Sequence, residues 1–99
     1  MTNYSPEALQ TAFKEGKTVA LYFQANWCGN CKLLEDELLV KGIPANATLL
    51  TVDFDVAQEL RQRYEVTNLH TIVLIDENMQ MLHKDSSGDY HTIVQLLES

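Results

Sequence analysis

Apolar residues along this chain alternate between strand-like and helix-like spacing. Thr18 to Ala25 (TVALYFQA) is a nearly unbroken apolar run rich in strand formers. Such a run predicts a central strand buried on both faces. Ahead of it, Leu9 and Phe13 fall one helical turn apart with Ala12 beside them. Ser5-Pro6 supplies an N-cap and a proline at the first helical position, and Gly16 supplies a stop. Residues 6–15 are therefore expected to form a short amphipathic helix. Cys28 to Lys41 (CGNCKLLEDELLVK) also has helical spacing, with Cys31, Leu34 and Leu38 on one face. Glu35, Asp36 and Glu37 read as a solvated face, and Gly42 and Pro44 end the element. Thr48 to Asp53 (TLLTVD) reads as a second strand, and Val56 to Tyr64 as a helix with Ala57, Leu60 and Tyr64 along one side. Thr71 to Asp76 (TIVLID) is the third strand; Glu77-Asn78 turns the chain and Met79 to His83 returns as its hairpin partner. Asp89 caps a last helix in which Ile93, Val94, Leu96 and Leu97 are apolar.

The order αβαβαββα predicts an α/β fold: a four-stranded mixed sheet with helices on both faces. The first two strands run parallel through a right-handed crossover and the last two antiparallel. With 99 residues, the whole of 1–99 is expected to be one domain. A content of 45% apolar and 21% charged residues excludes a disordered chain. The formal net charge of −7 excludes a non-specific nucleic-acid binder and argues against docking on anionic membranes. No apolar run approaches the roughly 20 residues that span a bilayer. Met1-Thr2-Asn3-Tyr4 lacks a basic and apolar leader pattern, so the expected location is the cytoplasm, or the periplasm if a leader has been removed.

Only two cysteines are present, three positions apart. A pair so close closes a tiny loop and restrains the unfolded chain little. Two cysteines alone cannot complete a four-coordinate structural zinc site. Chemistry is the better explanation. Cys28 stands where the buried strand meets a helix, and free N–H groups and the helix dipole favour a thiolate there. In a C-x-x-C pair this placement lowers the cysteine pKa into a range of roughly 3.5–7.5. Lys32 adds a nearby cation. Cys28 is then the exposed nucleophile, and Cys31, almost a full turn in, resolves the mixed disulfide. Gly29 leaves room for a substrate backbone, and Asn30 can cap the helix or donate hydrogen bonds near the thiolates. Trp27 contacts substrate or shields the pair, or else only packs.

The stretch Ala25-Asn26-Trp27-Cys28-Gly29-Asn30-Cys31-Lys32 closely resembles the active-site signature of the thioredoxin superfamily, and the elements around it match across nearly the whole chain. The resemblance implies a thioredoxin fold and a protein disulfide oxidoreductase with Cys28 attacking and Cys31 resolving. It also implies a substrate-facing loop over Val66 to Thr71, with Leu69, His70 and Thr71 beside the cysteines, and a distal hairpin turn over Asp76 to Met79. The family's first strand finds no counterpart ahead of Ser5, so the expected sheet lacks it. The expected order is the second strand on one edge, then the first, third and fourth.

Departures from the family pattern are local. His70 stands where a cis-proline is usual. A cis bond before a non-proline costs about 2.5–4 kcal/mol, so a trans bond or a reshaped loop is expected. Tyr22 replaces a buried aspartate, Asn30 a proline in the motif, and Asp36 a helix-kinking proline. Cys31, Lys32 and Glu35 form a Cys-Lys-x-x-Glu pattern that looks more like thioredoxin-like domains of bacterial disulfide-relay proteins. His70 has three readings: a general acid/base beside the thiols, a third ligand completing a Cys28–Cys31–His70 metal site, or a residue that only holds its loop; the alternative function is accordingly a metal-binding or adaptor module using Cys28, Cys31 and His70. His83 and His91 read as surface residues. Phosphate-binding, nicotinamide and flavin fingerprints are absent from the sequence. No cofactor is therefore expected beyond the redox-active Cys28–Cys31 disulfide. Electrons would come from a partner reductase or a small thiol and pass to disulfide-containing protein substrates. The default assembly at this size is a monomer.

Overall fold

The computed structural model describes residues 2–25 and 29–98, with the side chains of Asn30 and Cys31 outside the description. Its elements are β1 (Thr2–Asn3), α1 (Pro6–Lys14), β2 (Thr18–Gln24), α2 (Gly29–Lys41), β3 (Ala47–Asp53), α3 (Gln58–Arg63), β4 (Thr71–Ile75), β5 (Met81–Asp85) and α4 (Tyr90–Glu98). The sheet order is β1-β3-β2-β4-β5, with β1, β3 and β2 parallel and β4 and β5 antiparallel to their neighbours.

The fold class and the relative order of the four expected strands hold, but the sheet has five strands. The expectation that it lacks a first strand is corrected: Thr2 and Asn3 add at the outer edge, opposite Leu50 and Thr51. Hydrogen bonds hold them rather than burial. The Tyr4 amide donates to the Thr51 carbonyl at 2.8 Å, and the Thr51 hydroxyl donates to Asn3 Oδ1 at 2.7 Å.

The central strand β2 is buried from Val19 to Phe23, as its continuous apolarity requires. Alternation along the strands divides the core in two. On one face Ala20, Tyr22, Leu49, Ile72 and Leu74 pack with Leu34 and Leu38 of α2 and Ile93 and Leu97 of α4. On the other, Val19, Leu21, Phe23, Leu50, Val52, Val73 and Ile75 pack with Leu9 and Ala12 of α1 and with Tyr64 and Val66 after α3.

Local signals account for the helix ends. Ser5 Oγ accepts from the Ala8 amide at 3.0 Å, and Pro6 occupies the first turn. After α1, Gly16 takes φ +74°, and the Lys17 amide reaches back to the Ala12 carbonyl at 3.0 Å. That left-handed closure suits glycine. Asp89 Oδ2 accepts from the Thr92 amide at 3.0 Å and caps α4.

The distal hairpin departs from expectation. Asp76 Oδ1 accepts from the amides of both Asn78 and Gln80 at 2.9 Å, and Met79 takes φ +64°. The turn therefore uses up Met79 and Gln80, and β5 starts at Met81 with an irregularity opposite Leu74/Ile75. α3 is also shorter than expected, because Ala57 at its N-cap offers no side-chain acceptor.

Candidate active site

β2 and α2 carry the chain into and out of the cysteine motif. Trp27 and Cys28 lie outside the described residues, as do the side chains of Asn30 and Cys31. Around them, α2 opens at Gly29, which is exposed and has no described atom within 4 Å of where a Cβ would stand. Lys32 is exposed one turn further on.

Tyr22 is fully buried, on the sheet face that carries Leu34 and Leu38 of α2. Burial pushes its phenol well above the ordinary value, and the Glu35 carboxylate pushes it the same way. Glu35 is half-buried rather than part of a wholly solvated acidic face. Partial burial raises its carboxyl pKa, Asp36 adds to that, and Lys32 opposes it. The position that holds an aspartate in the resembling family here holds a neutral hydroxyl.

The loop before β4 lies at the same end of the sheet. Thr71 pairs with Phe23, two residues before Ala25. Among the described residues no peptide bond is cis, in line with the expected consequence of His70. His70 takes φ +48° instead, a left-handed conformation that is uncommon for a side-chain-bearing residue. The Thr71 side chain is fully buried. Its hydroxyl donates to the Asn68 carbonyl at 2.7 Å and shares a 3.0 Å hydrogen bond with Ser86. It therefore braces the loop against the β5–α4 turn, while the side chains of Leu69 and His70 reach the surface in part.

The imidazole of His70 rests on Gly88, where an added Cβ would lie 3.1 Å from Nδ1. Nδ1 is buried, with no hydrogen-bond partner among the described residues. Together with Leu33, Leu34 and Glu37 of α2 and Ser87 and Gly88 of the turn, His70 lines a cleft of about 240 Å³. Sequence reasoning missed the contribution of Ser86 to Gly88. The Ser-Ser-Gly-Asp cluster signals a turn, but 18 positions separate Gly88 from His70, and only the sheet brings them together. His83 and His91 are exposed, as expected. Among the described residues no group of three His, Cys, Asp or Glu side chains is arranged to hold a metal. The Cys28–Cys31–His70 alternative falls partly outside the described residues. No described helix is long and apolar enough to cross a membrane.

The description "Thioredoxin" belongs to the family model that matches residues 2–99. Thioredoxin-1 of Drosophila yakuba is 33% identical over 85 residues, spanning 84% of this chain and 78% of that protein. A thioredoxin of Chlamydia trachomatis is 28% identical over 81 residues, spanning 80% and 78% respectively. Among solved structures, the germline-specific thioredoxin Deadhead of Drosophila melanogaster superposes with a TM-score of 0.77 at 25% identity, covering 99% of this chain and 96% of that one. Trxlp of Edwardsiella tarda superposes at 0.76 and 25% identity, covering 97% and 96%.

Proposed function

Because the chain belongs to the thioredoxin family, a family of thiol–disulfide oxidoreductases that work without a bound cofactor, we propose that it reduces disulfides of protein substrates by dithiol exchange at Cys28 and Cys31. One observation carries the reading: the Cys-x-x-Cys pair brackets the opening of α2, directly after the fully buried β2. Unpaired amides and the positive dipole end at a helix start favour a thiolate, and Lys32 adds a cation.

The Cys28 thiolate attacks one sulfur of the substrate disulfide, forming a mixed disulfide and expelling the first substrate thiolate. The Cys31 sulfur then attacks Cys28 Sγ, forming the Cys28–Cys31 disulfide and expelling the second thiolate. The substrate gains two electrons and the protein loses two. A partner reductase or a small thiol restores the dithiol. The proton of Cys31 needs a base, and Tyr22 is a poor one. Its buried phenol holds its own proton at neutral pH, and the departing substrate thiolate is a base that can take the Cys31 proton. Leu69 and His70 form the substrate-facing part of the loop and Thr71 braces it, while Trp27 and Asn30 adjoin the two cysteines in sequence.

Equilibrating the protein with dithiothreitol or glutathione while following Trp27 fluorescence tests the reading. A potential near the roughly −270 mV of thioredoxin supports a disulfide reductase, and a value above roughly −200 mV makes the protein an oxidant or isomerase. Failure to find any reversible two-electron transition overturns the dithiol reading. In Cys31→Ser, a substrate disulfide should remain trapped on Cys28, visible as a mass increase removed by reductant.

A further inference from the structure

We propose that the cleft between α2 and the β5–α4 turn seats a basic side chain of the protein substrate, so that disulfides neighboured by lysine or arginine are preferred. This rests on the dithiol reading and names its substrate class.

The cleft lies at the motif end of the sheet. Its α2 wall, Leu33, Leu34 and Glu37, begins two residues after Cys31, and its opposite wall is His70, Ser87 and Gly88. At about 240 Å³ it is smaller than the roughly 300–1,000 Å³ of small-molecule pockets. That is room for one long side chain rather than a cofactor. Leu33 is 70% exposed on the rim, an apolar surface that the aliphatic stem of a lysine or arginine covers well.

Among the described residues of the lining, Glu37 is the charged one. Its Oε2 accepts from Lys41 Nζ at 2.8 Å, but that pair is on the exposed side of the helix and holds weakly. The Ser87 hydroxyl is engaged, donating to Asp85 Oδ2 at 2.6 Å and accepting from the Asp89 amide at 3.2 Å. Asp85 and Asp89 thus flank the turn wall with two further carboxylates, within a chain of net charge −7. An incoming cation meets the carboxylates of Glu37, Asp85 and Asp89, with Lys41 on Glu37 as the cation to displace.

His70 supplies the second contact. Its partly exposed imidazole stands on the wall opposite Glu37, where it can hydrogen-bond the backbone of the bound segment.

The test uses the full-length reduced protein and two eight-residue peptides. Each carries its one cysteine as a mixed disulfide with 5-thio-2-nitrobenzoate, and they differ only in lysine or glutamate two positions from that cysteine. Release of the coloured thiol at low salt gives the second-order rate. The lysine peptide is expected to react about tenfold faster, since each half of the charge reversal contributes roughly threefold at a half-exposed site. In Glu37→Gln the ratio should fall to about threefold or less. In Glu15→Gln, the same charge change on the opposite face of the sheet, it should stay near its original value. Equal rates, a ratio that survives in Glu37→Gln, or an equal fall in both variants overturns the cleft and leaves the dithiol reading standing. Absence of thiol release from either peptide overturns both.

Discussion

Replacing Gly88 by alanine tests the packing of the loop that stands in for a cis-proline. Gly88 has φ +69°, and an added Cβ would lie 3.1 Å from His70 Nδ1 and 3.5 Å from Cε1 and Cγ. Holding a residue with a Cβ in the left-handed region costs about 1–2 kcal/mol. The tight contact adds about 0.5 kcal/mol more, because the neighbouring Thr71 and Ser87 are hydrogen-bonded within their loops and the ring must shift off its preferred rotamer to make room. The expected loss is about 2 kcal/mol. A urea slope of about 1.3 kcal/mol/M suits a domain of this size, so the unfolding midpoint should drop by about 1.5 M. His70→Ala separates the two causes. In that background the ring contact is gone and only the backbone cost remains, so Gly88→Ala should cost about 0.5 kcal/mol less than in the parent. Urea unfolding of the four proteins, followed by fluorescence and by circular dichroism to check two-state behaviour, reads the whole cycle. An unchanged midpoint in Gly88→Ala would refute the backbone argument. A penalty identical in both backgrounds would refute the contact.

Other outcomes follow from the same structure. Ser5→Ala removes the acceptor for the Ala8 amide at the start of α1 and should cost about 1 kcal/mol in urea unfolding. Leu38→Ala empties a buried position between α2 and the sheet and should cost about 2–5 kcal/mol, read as a fall in thermal midpoint. Glu35→Gln should change stability with pH in a defined direction. Its folded pKa is raised, so the protonated carboxyl supports the fold below the ordinary value near 4.5, and that support is lost as pH rises through the folded value. The glutamine variant should therefore match the parent in acid and exceed it at pH 7. A variant that loses stability at pH 7 would contradict the burial assigned to Glu35.

Much of this fold is legible because it is driven by burial. The unbroken run from Val19 to Phe23 announces a strand covered on both sides, and Ser5-Pro6 and Asp89 mark helix starts with their own chemistry. β1 is a different case. Thr2 and Asn3 are both exposed and show no apolar period. Their strand exists only because β3 offers an edge. β5 is similar, with four of its five residues exposed, so nothing in its side chains marks where pairing resumes after the turn. There the Asp76 carboxylate decides, by drawing in the amides of Asn78 and Gln80. At the site, the identity of Tyr22 and His70 could be read directly, but their surroundings depend on which residues the sheet brings alongside. Glu35 reads as one of three solvated acids until α2 is laid on β2.

Several residues that break local rules lie at one end of the sheet. A histidine holds a positive φ, its Nδ1 is buried with no hydrogen-bond partner among the described residues, a phenol stands where the family holds an acid, and a carboxylate is half-buried beside it. Each has a cost, and a sequence selected for stability alone would relieve them. Gly88 accommodates the imidazole only because it lacks a side chain, and Thr71 anchors the loop so that His70 can remain strained. Under the proposed dithiol exchange the two features would act on different parts of the reaction. Tyr22 would leave the second step without the aspartate base of the family, and His70 would reshape the wall that a substrate meets. A variant restoring aspartate at position 22 should therefore speed resolution of the mixed disulfide without changing which peptides react. A change at His70 should alter that choice while leaving resolution of an already formed mixed disulfide alone. Rates measured separately for the two steps decide the matter: if Tyr22→Asp alters peptide preference as much as His70→Ala does, the division of roles is wrong.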